Sequence, residues 1–172
     1  MVNLRTRAGA RALTAVASAV IGLGGVAGCG GGQLAEQVGE QLGDQAIDGQ
    51  VDIEGDGITI TDEEGNQFGA GAGTEIPRSW PGDVPLFTDG ELVLAASQAG
   101  GVATALWETP KSVTDAASGY DRTISAAGFT LERDADLAGT VVRTYRNELH
   151  TVNVTVARTG GTTNLNVSVQ PR

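Results

Sequence analysis

The chain has 172 residues, a length that suits one domain of ordinary size or a small domain with extensions. Its net charge of −10 argues against a nucleic-acid partner held by basic patches. The single cysteine and single histidine exclude an internal disulfide framework, a cysteine-rich zinc site and a multi-histidine metal centre.

The first 29 residues have the features of a secretory signal. Three arginines within residues 5–11 precede an apolar run over residues 12–27. This run is shorter than the roughly 20 residues that a membrane-spanning helix needs. It ends in the sequence Val26-Ala27-Gly28-Cys29. A basic stretch, an apolar run and a small-residue site in this order predict a signal peptide over residues 1–28.

The sequence Val26-Ala27-Gly28-Cys29 resembles a bacterial lipobox. The resemblance implies cleavage between Gly28 and Cys29, attachment of diacylglycerol to the Cys29 thiol, and acylation of the new amino terminus. Cleavage removes three of the 11 basic residues, so eight bases remain against 21 acids and the mature chain carries a charge of −13. Anionic lipid head groups repel such a body. We therefore expect the lipid alone to hold the protein on the extracytoplasmic face of the cell membrane.

Residues 29–50 are predicted to be an acidic tether that contains an amphipathic helix. A four-residue repeat runs from Gln33 to Asp48. On a helix it gives an apolar ridge and an acidic ridge. The apolar ridge consists of Leu34, Val38, Leu42 and Ala46, and the acidic ridge of Glu36, Glu40, Asp44 and Asp48. Internal glycines and like charges four residues apart weaken this helix. The segment is therefore either a docking or oligomerising helix, or a solvated spacer between lipid and domain.

Residues 51–76 are predicted to form a small β-meander followed by a glycine-rich linker. Apolar and polar residues alternate around Glu-Gly-Asp and Glu-Gly-Asn turns, which favours strands at 50–53, 58–61 and 67–70. Residues 33–77 as a whole contain 11 acids and no lysine or arginine.

The same stretch approximates a calcium-binding loop. Four acids have nearly the spacing of the ligands in an EF-hand, namely Asp52, Glu54, Asp56 and Glu63. However, Thr59 stands where such loops carry an aliphatic residue, and the glycines after residue 64 exclude an outgoing helix. We therefore expect no specific metal site here, and the sequence indicates no cofactor.

Residues 77–172 are predicted to be an α+β domain. A proline-rich strap over residues 77–85 leads into strands at 91–97 and 102–109. Ser112 begins a helix with an acid three residues later, and Gly128 ends it. The apolar stripe of that helix comprises Val113, Ala116, Ala117, Tyr120, Ile124 and Ala127. Strands at 129–133, 141–146, 150–158 and 163–170 complete an antiparallel sheet with one packed helix, in the order ββαββββ.

The last two strands have a predicted register. Gly160-Gly161 is a two-residue hairpin signal, which places Thr159 opposite Thr162. Three apolar pairs then share one face, namely Val156–Leu165, Val154–Val167 and Val152–Val169. A slip of one residue would place them all on the other face.

The order of these parts resembles a loose group of uncharacterised lipoproteins of high-GC Gram-positive bacteria. The similarity lies in the lipobox, the acidic segment, the strap Trp80-Pro-Gly-Asp-Val-Pro85, and the serine-capped helix that ends Ala127-Gly128-Phe129. It covers about residues 26–170, and it implies the lipid anchor on Cys29 but no catalytic residue.

The sequence contains no nucleophile elbow, phosphate-binding loop, dinucleotide fingerprint or zinc-protease motif. His150 is predicted to lie at a strand end without a catalytic role, and Trp107 to belong to the core. Three acids, Glu132, Asp134 and Asp136, are predicted to lie in a solvated loop. We therefore expect a protein that is not an enzyme.

The function that these features favour is a lipid-anchored binding or interaction module of the cell envelope. Its expected partners are the membrane, through the lipid on Cys29, and an envelope protein. The alternative is a carrier of a small ligand or lipid, with a cavity between helix and sheet. Small residues on the helix would leave room for such a cavity, namely Ala116, Ala117 and Gly119.

Overall fold

The computed structural model describes residues 49–54 and 57–172. The predicted signal peptide, Cys29 and the four-residue repeat lie outside the described residues. The described part contains nine strands and one helix. In chain order they are β1 (Gly49–Glu54), β2 (Gly57–Asp62), β3 (Gln67–Ala70), β4 (Glu91–Gln98), β5 (Val102–Thr109), α1 (Val113–Ala126), β6 (Thr130–Leu137), β7 (Thr140–Arg146), β8 (His150–Thr159) and β9 (Thr162–Pro171).

All nine strands belong to one antiparallel sheet, in the order β1-β2-β3-β4-β5-β9-β8-β7-β6. The predicted antiparallel sheet with one packed helix is thereby confirmed. Helix α1 carries the chain from β5 to the far edge of the sheet. The chain then returns through three hairpins, so that β9 pairs with β5.

The predicted meander differs from the expectation in one respect. Its three strands lie where the alternation predicts them, but they are not a separate unit. β3 pairs with β4, with Gln67 opposite Ser97 and Gly69 opposite Ala95. β4 has a row of backbone donors and acceptors on the side away from β5, and β3 supplies their partners. Residues 49–70 therefore extend the sheet of the α+β domain.

Helix α1 begins as its sequence predicts. The Ser112 hydroxyl accepts a hydrogen bond from the Asp115 N–H at 3.1 Å and donates one to the Asp115 carboxylate at 2.7 Å. This satisfies one of the free N–H groups of the first turn. The predicted stripe is buried at Ala116, Ala117, Tyr120 and Ile124, and Val113 packs beside it. The stripe ends one position early, because Ala127 is exposed.

The carboxyl end of α1 is a Schellman motif. The Gly128 N–H donates to the Ser125 carbonyl at 3.1 Å, and the Phe129 N–H donates to the Ile124 carbonyl at 3.3 Å. Gly128 has a φ of 89°, which lies in the left-handed region that favours glycine. Both Ile124 and Phe129 are buried, so the motif also closes an apolar contact.

The core lies between α1 and the sheet face toward it, here called the inner face. The predicted hairpin register is confirmed, with Thr159 opposite Thr162. Side chains of α1, the strap and the central strands pack together in one cluster that includes Ala105, Trp107, Tyr120, Ile124, Tyr145, Val152, Val154, Val156, Leu165, Val167 and Val169.

The strap packs on this core through aromatic contacts. The Trp80 indole donates to the Val84 carbonyl at 3.0 Å, and its ring meets that of Trp107 edge to face at 6.3 Å. The Phe87 ring lies 6.4 Å from the rings of both Trp107 and Tyr120. The prediction that Trp107 is a core residue is confirmed, and Trp80 and Val84 of the strap also pack on the domain.

The prediction of a solvated loop around Asp134 is wrong. Glu132, Asp134 and Asp136 lie in the edge strand β6, which extends to Leu137. Aspartate is unfavourable in strands. Here, however, Asp134 lies opposite Arg143 of β7, and the Arg143 Nε donates to its carboxylate at 3.1 Å. This cross-strand ion pair and the β6–β7 backbone ladder favour the strand over the propensity of its residues.

Candidate binding face

The face of the sheet turned away from α1, here called the open face, has no covering layer within the described residues. Helix α1, the one helix among the described residues, packs on the inner face. Because successive side chains of a strand point to opposite faces, every strand also contributes side chains to the open face. These side chains divide the open face into two parts of different chemistry.

The apolar half of the open face lies on strands β1–β5. Its members stand opposite one another across the strands. One row comprises Val51, Ile60, Phe68 and Ala96, and the next comprises Ile53, Ile58, Ala70, Leu94 and Leu106. Ile58 of β2 is buried and the members on β3–β5 are half-buried, whereas on the edge strand Val51 is 43% and Ile53 66% exposed.

The polar half of the open face lies on strands β6–β9. Asn153 of β8 lies between Thr144 of β7 and Ser168 of β9. Asn166 lies next to Thr155, and this pair continues the row that begins at Ile53. The outward positions of β8 and β9 are mostly threonine, asparagine and serine, which offer both hydrogen-bond donors and acceptors.

An open depression of about 510 Å³ lies in the polar half. Its lining consists of Glu132, Arg133, Thr144, Arg146 and Asn153. The Arg146 Nη1 lies 2.7 Å from the Glu132 carboxylate, and the Thr144 hydroxyl donates to the Asn153 Oδ1 at 3.0 Å. The Arg146 Nε and the Asn164 Oδ1 are buried, and among the described residues neither atom has a hydrogen-bond partner. The polar half therefore retains unused hydrogen-bonding capacity, both a donor and an acceptor.

A second polar cluster lies on the inner face and ties the helix to the sheet. Arg143 donates to the Ala117 carbonyl of α1 at 3.1 Å and to Asp134 of β6. The Tyr145 hydroxyl donates to Asp121 of α1 at 2.9 Å. Burial, reinforced by the hydrogen bond to Asp121, raises the pKa of Tyr145 above its usual 10.0. Burial opposes the charge of Arg143, but the interactions with Asp134 and Tyr145 together outweigh it and raise the arginine pKa. These contacts are structural.

His150 belongs to a third cluster, which joins the strap to the turn between β7 and β8. Asp83 Oδ2 accepts a hydrogen bond from the Asn147 amide at 2.7 Å and lies 2.9 Å from the His150 Nδ1. Burial opposes ionisation of Asp83, but the hydrogen bonds with Asn147 and His150 outweigh it and lower its pKa. The histidine is the first residue of β8, at a strand end.

The Asp83 cluster resembles part of a catalytic triad in having an acid beside a histidine. Within the described part of the chain, however, the His150 ring hydrogen-bonds to this acid and to no serine. The Asn147 Oδ1 also accepts the backbone N–H groups of Leu149 and His150, at 2.9 and 2.7 Å. The cluster therefore fixes the turn and the strap, and it lacks the positioned nucleophile that hydrolysis would need.

The other predicted site residues are not brought together by the described structure. Gly28 and Cys29 lie outside it, as do Asp56 and the side chain of Glu54. Asp52 is exposed in the middle of β1 opposite Thr59, and Glu63 is exposed in the turn after β2. In residues 49–54 and 57–172, no three His, Cys, Asp or Glu side chains are grouped as metal ligands. No helix in this part is both long and apolar enough to cross a membrane.

The polar half of the open face was not predicted from the sequence. Arg146 and Asn153 lie in predicted strands, but the register of β7 was not fixed by any turn signal. One signal was present, namely the run of threonine, asparagine and serine at every outward position from residue 164 to 168 and from 151 to 155.

No protein-family model, curated protein or solved structure matches this chain.

Proposed function

We propose that this protein is a lipid-anchored binding module of the bacterial cell envelope, and that the polar half of its open face receives a protein partner. The observation that carries the proposal is the depression around Arg146, where no residue in the described part of the chain bonds the buried Nε of the guanidinium. The lipobox-like sequence ending at Cys29 supports the location.

The partner surface is expected to contribute hydrogen-bond acceptors, including at least one carboxylate. Arg133 and Arg146 supply two positive charges around the depression, against one negative charge from Glu132. An arginine guanidinium binds a carboxylate through two parallel hydrogen bonds. The neighbouring amides and hydroxyls of Asn153 and Thr144 provide further polar contacts.

The dimensions of the polar half suit a modest protein–protein interface. The polar half is four strands wide, β9-β8-β7-β6, and strands at 4.8 Å intervals give it a width of roughly 19 Å. These strands have seven to ten residues and are about 23–33 Å long, so the polar half offers on the order of 500 Å². Stable complexes bury about 800 Å² on each partner, so this surface corresponds to the smaller, reversible interfaces.

The carrier alternative has less support. It requires an apolar cavity of about 300 Å³ or more between the helix and the sheet. In the described structure, side chains fill that space, since Ala117 is 3% exposed, Tyr120 1% and Ile124 0%. Large aromatic and branched side chains of the sheet lie directly opposite them in the same core cluster.

Photocrosslinking in intact cells tests the binding face. A photoreactive residue replaces Asn153 in the polar half, and in a control chain it replaces the exposed Ser125 on the solvent side of α1. We expect a crosslinked protein, identified by mass spectrometry, from the first position alone. Equal crosslinking from both positions would contradict the proposal.

Affinity for the crosslinked protein then tests the role of Arg146. We expect Arg146→Ala to weaken binding by about tenfold or more, because a buried charge-assisted hydrogen bond contributes at least about 1.4 kcal/mol. Arg122→Ala, which removes an exposed arginine from the other side of the molecule, is the matched control. An unchanged dissociation constant for Arg146→Ala would place the partner elsewhere.

Membrane fractionation tests the anchor. We expect Cys29→Ser either to release the protein from the membrane or to block its processing, because the sequence has no other thiol that could carry the diacylglycerol. A Cys29→Ser chain that is cleaved before residue 29 and still sediments with membranes would contradict the anchor.

A further inference from the structure

The apolar half of the open face is a surface that the proposed partner site does not use. Two rows of apolar side chains cross strands β1–β5, and at the β1 edge Val51 and Ile53 are exposed. The polar half begins only at β9. Contiguous apolar surface of this kind on a protein outside the lipid phase usually has an occupant.

The position of the chain ahead of β1 identifies a candidate occupant. β1 is the edge strand, and it begins at Gly49. The four-residue repeat ends at Asp48, so its last apolar residue, Ala46, is only three residues before β1. A fully extended connection of three residues reaches about 10 Å, which keeps the end of the repeat beside this edge of the sheet.

The dimensions of the repeat match those of the surface. As a helix, the ridge Leu34, Val38, Leu42 and Ala46 is about 18 Å long at a rise of 1.5 Å per residue. Strands β1–β5 span about 19 Å at 4.8 Å per spacing. A helix that crosses the strands from β1 toward β5 would therefore place one apolar residue over nearly every strand.

We infer that residues 33–48 pack as an amphipathic helix on the apolar half of the open face. The apolar ridge would then contact the side chains around Ile53 and Phe68, while Glu36, Glu40 and Asp44 face solvent. A short helix with two glycines and like-charged neighbours is unstable alone, and burial of its apolar ridge supplies the missing stabilisation. The inference does not depend on the proposed partner, which would bind the other half of the face.

Hydrogen exchange of the mature chain, residues 29–172 with Cys29→Ser, tests this packing without detergent. One variant replaces the apolar ridge by Leu34→Gln, Val38→Gln and Leu42→Gln. The matched control replaces the acidic ridge by Glu36→Gln, Glu40→Gln and Asp44→Gln. Glutamine keeps a high helix propensity in both variants.

We expect the apolar-ridge variant to exchange the amides of β1 and β2 about tenfold faster or more, because uncovered edge strands open locally. The control should stay within about twofold of the unsubstituted chain, and the β8–β9 amides, which report global folding, should be unchanged in all three. Unchanged exchange in β1 and β2 of the apolar-ridge variant would overturn the inference.

Two other occupants give different results. If a second copy covers the surface, β1 and β2 lose protection on dilution of the unsubstituted chain, and this overturns the inference. If a lipid surface covers it, protection appears only after addition of phosphatidylglycerol vesicles, with the same consequence.

A crosslinking experiment gives an independent reading if the glutamine variant unfolds. In the Cys29→Ser chain, the pair Val38→Cys and Ile53→Cys is compared with the pair Glu40→Cys and Ile53→Cys. We expect a short bis-maleimide to link the first pair within one chain several times faster than the second. Equal rates would show a free segment and reject the packed helix.

Discussion

Tyr120 shows how one side chain joins the helix to the strap and to Phe87. It lies on α1, its ring packs at 6.4 Å from that of Phe87, and its hydroxyl donates to the Pro85 carbonyl of the strap at 2.9 Å. Tyr120→Phe keeps the ring and removes the hydrogen bond. We expect a loss of about 1–2 kcal/mol of unfolding free energy, because the Pro85 carbonyl is left without its partner. Urea denaturation at neutral pH measures this.

The same residue predicts a pH dependence. Burial raises the pKa of Tyr120 above its usual 10.0, so the folded state favours the protonated phenol. A raised pKa in the folded state stabilises the protein fully below the unfolded value and is lost as pH rises further. The melting temperature should therefore fall above about pH 10, and it should fall less steeply in Tyr120→Phe. Identical alkaline profiles for the two chains would show that Tyr145 alone accounts for the loss.

Residue types that act locally were predictable, whereas contacts between distant residues were not. The serine cap and the glycine end of α1 follow from neighbouring residues. The contact of Asp83 with His150 joins positions 67 residues apart, and no periodicity in the sequence records it. The depression around Arg146 depends in the same way on the register between β7 and β8, which no two-residue turn fixes.

Two glycines of helix α1 and its cap, Gly128 and Gly119, allow a matched test of how the helix ends. Gly128 has a φ of 89°, so an alanine there is strained, and Gly128→Ala should cost about 1–2 kcal/mol. Gly119 lies inside the helix, where an added Cβ meets only the Asp89 carboxylate at an ordinary 3.9 Å. Gly119→Ala should therefore stabilise the protein by about 1 kcal/mol through helix propensity. Thermal unfolding of both variants checks the opposite signs, and a stabilising Gly128→Ala would contradict the cap.

Sequence patterns predicted the pairing of strands within a hairpin but not the pairing between hairpins. The alternation of β8 and β9, with the turn between them, specified their pairing residue by residue. No short sequence pattern specifies that β9 pairs with β5, or that β3 pairs with β4. These pairings supply hydrogen-bond partners to the edges of hairpins, and those edges exist only after the hairpins have formed. The exposed acids of β6 had the composition of a loop, and only the partner strand β7, with Arg143 and Arg146, makes them part of the sheet.

The two faces of the sheet bury apolar side chains on different strands. The core lies on the inner face of β4, β5, β9, β8 and β7, whereas the apolar side chains of β1–β3 lie on the open face. The change of face occurs at β3, where Phe68 lies opposite Ala96 while Gly69 lies opposite the buried Ala95. The first three strands therefore contribute little to the main core, although they share its sheet.

This division predicts that residues 75–172 fold without the strands before them. The core cluster draws all its buried members from residue 84 onward, with Ile76 and Trp80 packed beside it. A chain that begins at Glu75 should therefore unfold cooperatively in urea and keep the near-ultraviolet circular dichroism of Trp80 and Trp107. Because β4 becomes an edge strand, the shortened chain should also self-associate more readily than the full one. Broad, non-cooperative unfolding would show instead that residues 49–70 are an integral part of the folding unit.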